Sequence, residues 1–282
     1  MGSVEDNESQ INSMNNINVY SKAPKGPNEI RKESLLTWFK DIFCPNFKFT
    51  SIIFILTCID IIMYIITICF GIKRSPDELL APTYQTLDLF GMKNNTKIYQ
   101  GQIHRLILFG ILHANLVHLI ANMFSQIILG FVIEDLIGTK STFILYILTN
   151  IFGGLFSSVC NTAPGVGASV AIFGILGGYF GFSVMNWGKL RNNVNFLINM
   201  MFLTIIVLAN ATFSIGNETI DNYGHCGGFI YGFLTIFFIY EPKDDTSDLL
   251  WIGYDKVKKL FFGLICLSVI LLALIFWVFQ NH

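Results

Sequence analysis

Residues 167–185 read Gly-Ala-Ser-Val-Ala-Ile-Phe-Gly-Ile-Leu-Gly-Gly-Tyr-Phe-Gly-Phe-Ser-Val-Met, nineteen positions without one Asp, Glu, Lys or Arg. The run is continuous rather than alternating, and a backbone exposed to lipid must satisfy its hydrogen bonds within its own segment. The stretch therefore predicts a transmembrane helix. Working outward, comparable runs occur at Ser51 to Phe70, Asn115 to Ile133, Thr142 to Cys160, Phe196 to Phe213, His225 to Tyr240 and Leu260 to Phe279. With Ser169 to Met185 these make seven predicted spans in an all-α polytopic membrane protein. The composition agrees: 53% hydrophobic and 13% charged with a mean hydropathy of +0.57, against about 25% charged in soluble domains.

Residues 1–48 are polar and carry Lys22, Lys25, Arg31, Lys32, Lys40 and Lys48. They read as a mostly disordered cytosolic tail ahead of a transmembrane domain over 49–282, and not as a cleaved signal peptide with its short charged start. Leu35-Leu36-Thr37-Trp38-Phe39 admits a short amphipathic helix on the headgroups as an alternative. With the N-terminus cytosolic, 13 of the 18 Lys and Arg fall on the cytosolic side, as the positive-inside rule requires. The other five, Lys73, Arg74, Lys93, Lys97 and Arg105, lie in the long first connection. This topology places the C-terminus outside, and Ser169 and His225 start their helices on the same non-cytosolic side.

That shared side carries the chemistry. A serine and a histidine at the starts of two different spans are a nucleophile and a base for hydrolysis within the bilayer. Ser169 follows Pro164-Gly165-Val166-Gly167, so it stands at a helix start, where free backbone N–H groups can hold an oxyanion. The 17-residue span from Ser169 to Met185 is about 25 Å long at 1.5 Å per residue, shorter than the hydrocarbon core of roughly 30 Å. Its start is submerged, in a recess that water must reach. Gly174 with Gly178, Gly177 with Gly181, and Gly228 with Gly232 are small-xxx-small pairs that let the Ser169 and His225 helices pack closely. Phe173, one turn from Ser169, reads either as a ring lying against His225 and fixing its orientation or as a core aromatic in a chain with 27 Phe. His118 and Asn122 are four apart and share a face of the second span. They read either as packing glue or as members of the site.

Other chemistries are not supported. A soluble nucleophile elbow needs Gly-x-Ser-x-Gly between a strand and a helix, and Ala171 occupies the last position in an all-helical context. No HExxH or clustered Asp pair suggests a membrane metalloprotease or aspartyl protease. Cys226 adjoins His225 but points about 100° away from it. The six cysteines read as small apolar residues and not as a disulfide framework. Asp60, midway along the first span, is expected to hydrogen-bond internally, and no carboxylate is evident to orient His225. Asn94-Asn95-Thr96 and Asn217-Glu218-Thr219 match the glycosylation pattern on the predicted outer side.

From about residue 51 to 279 the chain resembles the rhomboid family of intramembrane serine proteases. Gly167-Ala168-Ser169 is similar to the family's Gly-x-Ser motif, and His225 with Gly228 and Gly232 to its His-x-x-Gly-x-x-x-Gly helix. His118-Leu119-Ile120-Ala121-Asn122 resembles the oxyanion segment, Arg105 the first-loop arginine, and Glu134 the glutamate closing the second span. The Asn-, Ile- and Phe-heavy usage is similar to that of apicomplexan rhomboids. The resemblance implies a bundle of six transmembrane helices plus a seventh, as in eukaryotic members. It implies a Ser169–His225 dyad, oxyanion stabilisation by Asn122 and His118, and single-span membrane proteins as substrates within the lipid bilayer. It implies neither a metal nor an organic cofactor, and nothing points to nucleic acid. The outer-side glycosylation patterns, with no recognisable mitochondrial transit signal, favour residence in the secretory pathway or plasma membrane. Silent relatives that bind client helices usually lack the Ser or His, and both are present. Two positions depart from the pattern: His104 precedes Arg105 in place of an aromatic, and Val170 follows the serine in place of glycine. Val170 is expected at the mouth of the site, narrowing the substrate groove.

Overall fold

The computed structural model describes residues 48–73, 79–192, 220–240 and 254–281, with the single positions 201 and 205. The predicted fifth span, Phe196 to Phe213, the tail up to residue 47 and the Asn217 pattern lie outside the described residues, apart from those single positions. The long apolar runs form α1 (Ile52–Phe70), α5 (Leu116–Ile137), α6 (Thr139–Cys160), α7 (Ser169–Met185), α9 (Asn222–Ile239) and α10 (Tyr254–Asn281). Among them Ile52–Phe70, Leu116–Ile137, Thr139–Cys160 and Asp255–Val278 are long and apolar enough to cross a membrane, and Ser169–Met185 is shorter. The protein is an integral multi-pass membrane protein with an all-helical fold. Among the described residues the only extended pairings are isolated bridges, Ile72 with Pro82 and Lys93 with Gly165.

Local chemistry sets the helix ends. Asn115 Oδ1 accepts from the His118 amide at 2.8 Å and starts α5, a side-chain oxygen meeting one of the donors a helix start leaves open. The turn from α5 to α6 is one residue, Gly138, at φ +83°, a conformation glycine adopts without the Cβ penalty. Glu134 near the end of α5 reaches the start of α1. It accepts from Ser51 Oγ at 2.5 Å, from the Ile52 amide at 3.0 Å and from the Ile53 amide at 3.3 Å, so a carboxylate satisfies α1's open amides and complements its dipole.

Between the spans, buried polar groups pair with one another. Gln126 on α5 donates to Asp60 (2.9 Å) and Thr57 (3.1 Å) of α1 and accepts from Tyr146 of α6 at 2.8 Å. Asp60 thus bonds internally, as expected.

The long first connection folds into α2 (Tyr84–Leu89), α3 (Asn95–Tyr99) and α4 (Arg105–Leu108) followed by a 3-10 turn, Phe109–Ile111. A further short turn of helix, α8 (Trp187–Leu190), follows α7. Arg105 is buried and anchors the first connection. It donates to Asp88 Oδ1 at 3.1 Å, to the carbonyls of Asp88 (3.0 Å) and Met92 (2.8 Å), and to Gln102 Oε1 at 2.8 Å. Asn150 of α6 then ties α4 to the bundle by donating to the Leu106 and Ile107 carbonyls.

The predicted close approach of the serine and histidine helices is present. A Cβ at Gly228 would meet the Val170 carbonyl, and one at Gly232 the backbone of Gly174. Gly177 and Gly181 stand against the Phe229 and Phe233 carbonyls of α9. The opposite face of α7, through Gly174 and Gly178, takes Thr149 and Leu145 of α6. With hydrogen in place of side chains, α7 is wedged between α6 and α9.

Candidate active site

At the adjoining N-terminal ends of α7 and α9, Ser169 Oγ lies 2.8 Å from His225 Nε2. The Phe173 ring stacks on the His225 imidazole with centroids 4.4 Å apart and planes 10° from parallel. With Ser169 donating to Nε2, the imidazole carries its proton on Nδ1 and presents a base to the hydroxyl. Both residues are half-buried and line a cavity of about 770 Å³, together with His118, Asn122, Phe173 and Asp221.

Gly167 shapes the approach to Ser169. Its φ is +130°, and a Cβ there would come within 2.7 Å of His118 Cε1, so two independent constraints require glycine at the first position of the Gly-x-Ser motif. The Gly167 amide donates to the Phe109 carbonyl at 2.9 Å, linking this loop to the first connection.

His118 Nδ1 accepts from the Ala114 amide at 3.4 Å. That contact favours the tautomer with the proton on Nε2, the nitrogen beside Gly167. Asn122 donates one amide hydrogen to the His118 carbonyl at 2.8 Å, and its second remains available for another acceptor. The cavity wall therefore carries an imidazole N–H and an amide N–H near the serine hydroxyl. His113 packs edge-on against His118 at 5.4 Å, and neither of its ring nitrogens has a hydrogen-bond partner among the described residues. Burial, with a smaller contribution from His118, pushes its pKa down to about 3, so the ring is neutral.

Three predicted positions lie elsewhere. Arg105 and Glu134 hold the first connection and the α1 start, as described above. Val170 is not at the mouth: it is 2% exposed and fills the seam between α6 and α9, where it meets Gly153, Gly224 and Gly228. One residue along a helix turns the side chain by about 100°, so the neighbour of the nucleophile points away from the cavity.

One functional neighbour was missed. Asp221 stands one turn before His225 and caps α9, accepting from the Gly224 amide at 2.9 Å, while its carbonyl accepts from the His225 amide at 3.0 Å. The signal is in the sequence, an Asp just ahead of an apolar helical run. The arrangement suits covalent hydrolysis of an acyl bond: a nucleophile, a base, and nearby donors for a developing negative charge.

A family model described as the Rhomboid domain matches residues 100–242, just over half of the 282-residue chain. The chain is 34% identical over 199 residues to the rhomboid-like protease 1 of Toxoplasma gondii, covering 69% of this chain and 66% of that protein. Rhomboid-like protease 2 of the same organism is 29% identical over 238 residues, covering 83% and 79%. The rhomboid protease GluP of Bacillus subtilis is 33% identical over 160 residues, covering 56% of this chain and 30% of that protein.

Proposed function

The chain belongs to the rhomboid family, and on that premise we propose that it is an intramembrane serine endopeptidase cleaving the transmembrane helix of single-span membrane proteins. The observation carrying this reading is the 2.8 Å contact between Ser169 Oγ and His225 Nε2. Ser169 attacks the scissile carbonyl as His225 takes its proton, and the imidazolium then returns a proton to the leaving amine. The acyl-enzyme is resolved by water, with His225 again the base. The His118 Nε2–H, the free hydrogen of the Asn122 amide and the Ser169 backbone N–H stabilise the tetrahedral oxyanion. Phe173 holds the imidazole plane. A helical substrate must unwind to expose its backbone, so helix-breaking Gly or Pro and small residues mark the scissile region.

The distribution of basic residues supports a cytosolic N-terminus, with the site and the C-terminus on the opposite side, in the secretory pathway or plasma membrane. Protease protection of tagged termini tests that orientation, and a protected N-terminal tag with an accessible C-terminal one is expected in sealed vesicles of outward orientation. The activity is tested by reconstituting the full chain with a single-span substrate. Ser169→Ala and His225→Ala each abolish cleavage, and Asn122→Ala lowers kcat about a hundredfold or more. Equal cleavage by all the variants would refute the assignment.

A further inference from the structure

Next to the dyad lies a charged cluster that the hydrolytic steps do not use. Lys93, in the first connection, is fully buried. Its Nζ donates to Ser157 Oγ of α6 at 2.5 Å and lies 3.4 Å from Asp221 Oδ2. The Ser157 hydroxyl in turn donates to the Asp221 carboxylate, at 2.7 and 2.6 Å from its two oxygens. Asp221 is the α9 cap, one turn before His225.

The main chain of the same lysine holds the other half of the site. Its amide donates to the Gly165 carbonyl at 2.9 Å, and its carbonyl accepts from the Gly165 amide at 3.2 Å. Gly165 is in the loop that delivers Ser169. The packing around the pair is tight: a Cβ at Gly165 would lie 3.3 Å from Lys93 Cε and 3.4 Å from Asp221 Oδ2, and one at Gly224 would lie 2.8 Å from Asp221 Oδ2.

A buried ammonium demands a counter-charge and hydrogen-bond acceptors. Among the described residues Lys93 Nζ meets one carboxylate, Asp221, which caps the His225 helix, and one hydroxyl, Ser157, which is bonded to that carboxylate. Burial pulls its pKa below the usual lysine range, and the Asp221 carboxylate opposes that pull. A lysine in so dry a place therefore fixes where Asp221 sits, because any retreat of the carboxylate leaves the ammonium unpaired.

We propose that Lys93 is a positioning residue for the dyad: its backbone holds the Ser169 loop while its ammonium, through Ser157 and Asp221, holds the start of the His225 helix, so one residue sets the separation of nucleophile and base. The inference rests on the protease reading and adds to it a part of the site outside the reacting groups. The fit of Ser169 to His225 depends on two chain segments far apart in sequence, and Lys93 is bonded to both.

The test uses the full chain in a bilayer with a single-span substrate, following kcat, KM and the rate at which a fluorophosphonate probe labels Ser169. Lys93→Met is expected to lower kcat and the labelling rate about a hundredfold, the cost of a misplacement near 1 Å, with KM within about twofold of the parent. Lys93→Arg, which keeps the charge, restores most of the labelling rate. Combining Lys93→Met with Asp221→Asn gives a loss no larger than the greater single loss, because both changes act along one path. Parental kcat and labelling in a folded Lys93→Met chain, or a double loss equal to the product of the singles, would overturn the proposal. Where Lys93→Met does not fold, Ser157→Ala decides. It removes the bridging hydroxyl without stranding a charge, is expected to slow labelling about tenfold, and overturns the proposal if labelling is unchanged. Failure of the underlying reading looks different: the parent and Ser169→Ala then cleave alike, and both inferences fall together.

Discussion

α9 and α10 are adjacent apolar helices that the sequence predicts alike from their apolar runs, yet they are built for different surroundings. α9 is lined by Gly224, Gly227, Gly228 and Gly232, which are buried against α6 and α7. In the transmembrane part of α10, only 11% of the residues of its most apolar window are buried. Its Leu260, Leu264, Leu267, Leu271 and Leu274 are exposed, as a lipid-facing surface allows. α10 meets α9 through a Phe237–Phe261 stack with centroids 4.1 Å apart and a Tyr231 hydroxyl donating to Ser268 at 3.0 Å. On its other side Phe276 packs with Ile98, Leu106 and Leu155. α9 is thus held by backbone approach and α10 by side-chain adhesion. Backbone approach transmits small displacements to a catalytic pair more directly than apolar side-chain adhesion does, because backbones have no rotamers with which to absorb a misfit.

The sharpest way to break this contrast is to add a side chain to the seam. Gly232→Val would place a Cβ into the Gly174 backbone, where nothing flexible can yield. A loss of about 3 kcal/mol of stability is expected from overpacking alone, read as a fall in the thermal midpoint in detergent, together with loss of Ser169 labelling. Retention of both would mean that α7 and α9 can part without harm. A smaller effect follows at the imidazole. Phe173→Leu keeps an apolar residue but removes the stacked ring, a contact worth about 0.5–1.5 kcal/mol, so kcat is expected to fall up to about tenfold with KM little changed.

These contacts mark what the sequence made legible. Ser169, His225 and Phe173 were readable because the topology predicted from basic residues puts the starts of their spans on one side, and the glycine pairs because small residues at a spacing of four let helix backbones approach closely. Val170 was misplaced by treating proximity in sequence as proximity to the cavity, although the rotation of about 100° per residue that separates Cys226 from His225 also applies to it. Lys93 was hidden for another reason. A lysine in a connection is ordinarily solvated, and its burial results from the folding of the first connection, whose helices of four to six residues are too short for hydrophobic periodicity to register. Asp221 had a readable signal as a cap, but its partners Lys93 and Ser157 are 128 and 64 residues away in sequence, and only the fold brings them together.

On the α10 side of the comparison the effects shrink. Ser268→Ala removes the hydroxyl that accepts from Tyr231. Interhelical hydrogen bonds in membranes average about 0.6 kcal/mol, so a small fall in thermal midpoint is expected and no change in kcat. A change in kcat comparable to that of Phe173→Leu would show that α10 takes part in positioning the dyad.

The smallest effect is expected where the same residue type meets open space. Among the described residues a Cβ at Gly263 of α10 has no atom within 4 Å to meet, and its φ is not in the left-handed region. Gly263→Ala therefore adds no clash, and it removes backbone freedom that glycine would otherwise lose on folding, a gain of up to about 1 kcal/mol in a helix interior. The thermal midpoint should stay level or rise, and cleavage should be unaltered. Glycine thus has opposite worth on two touching helices: at Gly232 it makes room for a backbone, while at Gly263 it makes room for nothing among the described residues. If Gly263→Ala instead destabilised the protein or cut cleavage, α10 would be packed there against a surface outside the described residues.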